Sequence, residues 1–240
     1  MAEVLLCVSG VHAGYGDVPV LWGIDIGVER GEIACLVGSN GAGKTTLMRT
    51  ISGLVRATAG SIVFEGRELA AAEPDEVLAA GIAHVPEGRR LFSAMSIRDN
   101  LLMGAYLRRD GPGAIAADLE RMFAMFPILA ERRSQDAGTL SGGEQQMCAI
   151  ARGLMGAPKM LLIDELSLGL APATVDQLCD ALRILNRDGL TLLVVEQDVA
   201  TALELARHAF VMDTGRITRS GESPALANDP AIREAYLGSL

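Results

Sequence analysis

Paired cysteines, aromatic rings, surplus basic charge and long apolar runs are all scarce in this chain of 240 residues, and each shortage excludes something. The four cysteines, Cys7, Cys35, Cys148 and Cys179, stand far apart and form no C-x-x-C pair. That argues against a disulfide framework and against a zinc set. The three histidines, His12, His84 and His208, fall at no ligand spacing to them. Aromatics make up 4% of residues, too few for a base-stacking platform. Lys and Arg number 21 against 30 Asp and Glu, a net charge of −9. A nucleic-acid binder needs the opposite balance on at least one face. Half the residues are apolar and the mean hydropathy is +0.29. Yet no apolar run approaches the roughly 18–20 residues that span a bilayer; the longest, such as Leu192-Leu193-Val194-Val195, have strand length. The start, Met1-Ala2-Glu3-Val4-Leu5-Leu6, has no basic stretch before an apolar one and does not read as a secretory signal. A cytoplasmic protein with buried, reduced thiols is the expectation.

What is present alternates between strand and helix signals. Ile24, Ile26 and Val28 alternate with polar or small residues, as in a half-buried strand. Arg30-Gly31 turns the chain, and Ile33-Ala34-Cys35-Leu36-Val37 reads as a central strand covered on both faces. A glycine-rich loop and a helix from Thr46 to a stop at Gly53 come next. Ile62-Val63-Phe64 predicts a short strand before a turn. Over residues 90–155 helical spacing replaces strand signals, broken at Gly111-Pro112-Gly113. Strands resume at Met160-Leu161-Leu162-Ile163 and over 190–195, and residues 209–217 read as a hairpin. The layout is an α/β core interrupted by a helical insertion.

Gly38-Ser39-Asn40-Gly41-Ala42-Gly43-Lys44-Thr45 fits G-x-x-x-x-G-K-[ST], between a buried strand and a helix. Glycines let the backbone curl so that N–H groups point inward at phosphate oxygens, and the helix adds its positive end. Lys44 supplies charge for β and γ phosphates, and Thr45 a hydroxyl for Mg²⁺. Asp164-Glu165 follows the apolar run from Met160, at a strand's C-terminal end where open α/β sheets bind ligands. Asp164 would hold Mg²⁺ and Glu165 would orient or deprotonate the attacking water. In Leu140-Ser141-Gly142-Gly143-Glu144-Gln145-Gln146, Ser141 and Glu144 form a capping box ahead of an apolar face of Met147, Ile150, Ala151 and Leu154. The two glycines leave a bare helix start that an anion can approach closely.

Together these motifs resemble the ATP-binding subunit of ABC transporters over essentially the whole chain, the heptapeptide being that family's signature. The resemblance implies a P-loop NTPase core, a RecA-like mixed sheet with helices and an antiparallel strand region, carrying an inserted α-helical subdomain. Residues 1–87 and 156–240 would form the core, and 88–155 the signature-bearing subdomain. It implies ATP and Mg²⁺ as ligands, with ATP on the phosphate loop through Thr46. Two subunits, as homodimer or heterodimer, would sandwich each ATP between one chain's phosphate loop and the other's signature helix, so that Ser141, Gly142 and Gly143 of this chain would meet the ATP held by the partner. Tyr15 resembles the residue that stacks on adenine.

Four positions depart from the family pattern. Glu87 stands for a glutamine that faces Mg²⁺ or the water, Gln197 for a histidine on the γ-phosphate, Ala171 for an aspartate, and Leu166 for a proline common after the glutamate. Gln197 can still donate a hydrogen bond but cannot titrate. The wording V-P-E-G-R-R, S-L-G-L-A-P and V-E-Q, with the ending over 228–238, is similar to the F-type ATP-binding subunit of branched-chain amino-acid importers. That implies two permease subunits, an extracytoplasmic solute-binding protein and a peripheral place on the cytoplasmic face of the inner membrane. A groove between core and insertion, near Glu87, is the expected docking site. Urea or amide importers share much of the pattern. A soluble ABC ATPase of translation or repair fits less well, because this chain has one ATPase unit and no long heptad stretch. A small-molecule kinase would not need the signature.

Overall fold

A computed structural model describes residues 3–234. In chain order the elements are β1 (Val4–Tyr15), β2 (Val18–Glu29), β3 (Ile33–Val37), α1 (Lys44–Ile51), β4 (Ala57–Phe64), β5 (Arg67–Glu68), α2 (Pro74–Ala80), β6 (Ile82–Val85), α3 (Ile97–Met103), α4 (Pro112–Met125), α5 (Pro127–Glu131), α6 (Gly142–Leu154), β7 (Met160–Asp164), α7 (Pro172–Arg187), β8 (Thr191–Glu196), α8 (Val199–Leu205), β9 (His208–Asp213), β10 (Arg216–Glu222) and α9 (Ser223–Ala227). Residues 235–238 of the subfamily-like ending lie outside the described range.

The strands form two sheets. One is antiparallel, in the order β2-β1-β4-β5. The other has the order β10-β9-β3-β8-β7-β6, parallel except for β10. In β3, β7 and β8 every residue is buried, because both faces are covered. Ile33, Cys35, Val37, Leu161, Ile163, Leu192 and Val194 face α6, α7 and α8. The alternate residues, Ala34, Leu36, Leu162, Leu193 and Val195, face α1 and the antiparallel sheet. A period of two with both faces dry reads as one continuous apolar run.

Helix α1 fills the space between the sheets. Its Leu47, Met48 and Ile51 pack with Val8, Leu21 and Ile24 on one side and Leu36 and Leu162 on the other. The phosphate loop at its start is therefore fixed between two rigid layers. Helices α3 to α6 carry the segment without strand signals, joined by an isolated bridge between Ser96 and Asp136. Their Leu101, Phe123, Leu129 and Ile150 share one hydrophobic cluster with β7 and β8, so the insertion rests directly on the sheet. Asn100, fully buried, donates to the carbonyls of Phe92, Met95 and Ser96 and ties down the loop before α3. Among the described residues, no helix is long and apolar enough to cross a membrane.

The structure bears out the turn at Arg30-Gly31, adds one strand and corrects the expectation for one cysteine. The Arg30-Gly31 turn carries the chain from one sheet to the other. The difference in burial explains why: β2 has a wet face and β3 has none. Strand β1 was not expected, because register shifts between Val8 and Val11 break its alternation. Tyr15 accordingly ends β1 rather than preceding the first strand pair. Of the cysteines, Cys35, Cys148 and Cys179 are buried and free, whereas Cys7 is exposed.

Candidate nucleotide-binding site

The phosphate loop runs from the end of β3 into α1. Gly38 passes so close to β9 that a Cβ there would sit 2.1 Å from the Met212 carbonyl oxygen, at a φ of +154°. Lys44 is buried, and its Nζ donates to the carbonyls of Gly38 at 2.7 Å and Ser39 at 2.9 Å. The ammonium is thus held across the loop by the loop's own backbone. Burial lowers its pKa, against the pull of Glu165 and Asp164.

The two carboxylates arrive from β7. Asp164 is 1% exposed and accepts a hydrogen bond from Thr45 Oγ1 at 3.3 Å. Burial pushes its pKa up to about 6, and the charges of Glu165 and Glu87 push the same way against the Thr45 hydroxyl and Arg49. Glu165 takes a left-handed backbone, φ +60°, and its N–H donates to the Val195 carbonyl. Leu166, where relatives commonly have proline, is fully buried. A proline there would restrict the backbone of residue 165 toward extended conformations. Gln197 Nε2 donates to Glu165 Oε1 at 2.5 Å.

One anchor of this corner escaped sequence reasoning. Glu196, 1% exposed, accepts from Ser167 N–H (2.9 Å), Ser167 Oγ (2.7 Å) and Gln197 N–H (3.2 Å). It thereby fixes the loops carrying both Glu165 and Gln197. A carboxylate ending the apolar run of β8 was the available signal.

A cleft joins these groups. Asn40, Gly41, Gly43, Lys44, Thr45, Thr46, Glu87, Glu165 and Gln197 line it, with Val20 and Leu168, which sequence reasoning did not single out. Asp164 Oδ2 and Glu165 Oε2 are buried with no hydrogen-bond donor. The bare Asp164 oxygen, on a carboxylate that also bonds the Thr45 hydroxyl, fits a hard divalent cation, which takes oxygen ligands.

Other predicted residues lie elsewhere. Tyr15 is 45% exposed, bonds through its hydroxyl to Arg49 Nη1 at 3.2 Å, and does not line the cleft. Ser141 caps α6, Gly142 and Gly143 begin it, and none of the three lines the cleft. The capping box forms there: Ser141 Oγ accepts from Glu144 N–H, and the Glu144 carboxylate accepts from Ser141 N–H. A Cβ on Gly143 would meet Thr174 Cγ2 of α7 at 2.5 Å, so the glycine also serves packing within the chain. Glu87 lines the nucleotide cleft and not the groove between core and insertion, which Leu54, Leu78, His84, Phe92 and Met103 line instead.

A model of the ABC transporter family matches residues 21–167. The chain is 43% identical to the "High-affinity branched-chain amino acid transport ATP-binding protein BraG" of Pseudomonas aeruginosa, over 98% of this chain and all of that one. It is 32% identical to the "Probable branched-chain amino acid transport ATP-binding protein LivF" of Archaeoglobus fulgidus, over 95% and 96%. The ADP-bound crystal structure of an ATP-binding cassette from an ABC transporter superposes with a TM-score of 0.83 at 28% identity, over 99% of this chain and all of that one. The family match covers more than half of the chain, and these relatives align with it almost end to end: the chain belongs to the ABC transporter family, as one of its ATP-binding, ATP-hydrolysing subunits.

Proposed function

We propose that this chain energises an importer of branched-chain amino acids. The likeness to BraG over both full lengths carries the choice of solute. The V-P-E-G-R-R, S-L-G-L-A-P and V-E-Q wording supports it. In this reading ATP lies on the loop from Gly38 to Thr46, with Tyr15 toward adenine. Thr45 and Asp164 would hold Mg²⁺, with Glu87 beside them, and the ion would offset charge on the phosphates when bound. The unpartnered Asp164 oxygen supports a cation there.

Glu165 orients and deprotonates the attacking water, and Gln197 holds that carboxylate in place. Lys44 neutralises the transferred phosphoryl group. Ser141, Gly142 and Gly143 of this chain complete the site of a second ATPase subunit, whose own signature completes this one. None of the three lines the cleft of its own chain, which leaves them for such pairing.

The permease subunits dock in the groove between α2–β6 and α3–α6. Leu54, Phe92 and Met103 line it and are 57%, 48% and 44% exposed, an apolar surface of the kind partners cover. A solute-binding protein delivers the solute from outside. The chain then works peripherally, on the cytoplasmic face of the membrane. Uptake of labelled leucine, valine and urea by cells with and without this chain tests the reading. Loss of leucine and valine uptake alone is expected; loss of urea uptake alone would reassign the solute.

A further inference from the structure

Between β6 and α3 the backbone does something that neither ATP binding nor docking requires. Gly88, Arg89 and Arg90 all have positive φ, at 73°, 63° and 49°. Two of the three carry side chains, and such a run persists only where surroundings over-determine it. Here the fastening comes from α6. Arg152 donates Nη2 to the Arg89 carbonyl at 2.8 Å and Nη1 to the Arg90 carbonyl at 2.7 Å.

The backbone so held aims the Arg89 side chain back at the start of the same helix. Its Nε donates to Gln146 Oε1 at 3.3 Å, and its Nη1 to Gln145 Oε1 at 3.5 Å. Its Nη2 reaches the Leu168 carbonyl at 3.5 Å, in the loop after Glu165. The guanidinium also covers Gly142, where a Cβ would lie 3.3 Å from Nη2. Bonds this long are weak singly. The planar fork nevertheless spreads them over three residues on two elements at once, which a lysine cannot do. Gln146 is 4% exposed, so Arg89 supplies a donor to a buried amide oxygen.

We propose that Arg89 is a positioning residue of the ATPase. It fastens the Glu87 segment to the signature helix and to the loop after Glu165, so that the three move as one unit. The inference rests on the ATPase reading above. A displacement at Glu87 then reaches Gly142 and Leu168 together. Arg152 is the other half of the brace, since it sets the backbone from which Arg89 projects.

The test is ATP turnover by the chain assembled with its membrane partners, with kcat and KM read separately. Arg89→Ala is expected to lower kcat about tenfold and leave KM within about twofold. The thermal midpoint of the chain should stay within a few degrees. Arg89→Lys keeps the charge and should recover little of the rate. Gln146→Ala should lower kcat by itself and cost nothing further in the Arg89→Ala background. Parental turnover in Arg89→Ala, full recovery in Arg89→Lys, or independent effects of Arg89 and Gln146 would each overturn the brace. A fall of kcat accompanied by equal losses of ATP affinity and thermal stability would also overturn it. Glu165→Gln, run alongside, keeps the two readings apart: if it too turns over at the parental rate, the catalytic assignment fails rather than the brace.

Discussion

Gln197 ties down Glu165: its amide nitrogen sits 2.5 Å from the carboxylate oxygen Oε1, across from the end of β8 to the end of β7. The bond leaves Glu165 Oε2 bare. One oxygen is thus used for orientation and the other is left for chemistry. An amide does this without titrating, whereas a histidine would add a group that changes charge near neutral pH.

The two residues should therefore differ in how they fail. Glu165→Gln removes the base and should lower kcat by about a hundredfold or more, with ATP still bound. Gln197→Ala leaves the base but frees it, and a loss of about tenfold is expected. Gln197→His should keep much of the rate and add an inflection near pH 6–7 to the pH–rate profile. Steady-state ATPase between pH 5.5 and 9 checks all three. Equal losses in Glu165→Gln and Gln197→Ala would contradict the division of roles.

Lys44 is held by two backbone carbonyls of the loop it serves. Lys44→Ala removes both the charge for phosphates and the brace across the loop. ATP affinity should fall at least about tenfold, as titration with a fluorescent ATP analogue would show. Unchanged affinity would mean that the backbone N–H groups alone hold the nucleotide.

Asp164 makes stability depend on pH. Its folded pKa of about 6 lies above the ordinary value of 3.8. The folded state therefore holds its proton more tightly, so stability is lost as pH rises toward and through 6. Asp164→Asn should raise the thermal midpoint of the nucleotide-free chain by a few degrees at pH 8, with the gain shrinking toward pH 4. The same variant should lose its response to Mg²⁺. Thermal melts from pH 4 to 8 decide; a gain independent of pH would trace to packing instead.

Gly143 is crowded by its own chain. Gly143→Ala would press a methyl group against Thr174 Cγ2. A loss of about 1–3 kcal/mol is expected from such overpacking. Thr174→Ser deletes that methyl and keeps the hydroxyl, so the double variant should regain most of the stability. Denaturant melts of the four proteins measure the cycle. Recovery of stability without recovery of ATPase would show that Gly143 also serves the partner's nucleotide.

Much of this was legible because local patterns carried it. The phosphate loop needs glycine in a turn, lysine after it and a buried strand before it, all within a few residues. β3, β7 and β8 announced themselves as unbroken apolar runs because both faces are covered. The capping box at Ser141 and Glu144 is likewise a local device. β1 stayed hidden, since its bulges break the alternation. β6 has four residues and borrows its identity from its neighbour β7.

The sequence by itself determined which groups are this protein's candidates for a nucleotide: the lysine, the threonine, the two carboxylates and the signature glycines. These are set by residue type and short-range spacing. Tertiary structure alone decided which of them meet. Thr45 and Asp164 lie 119 positions apart, yet they share a hydrogen bond because β7 stands two strands from β3 in one sheet. It also left the signature out of the lining of its own chain's cleft and set Arg89 across α6 and the loop after Glu165. No spacing rule predicts such contacts. They come from strand order and from the packing of α6 on the sheet, which every buried residue of the core decides together.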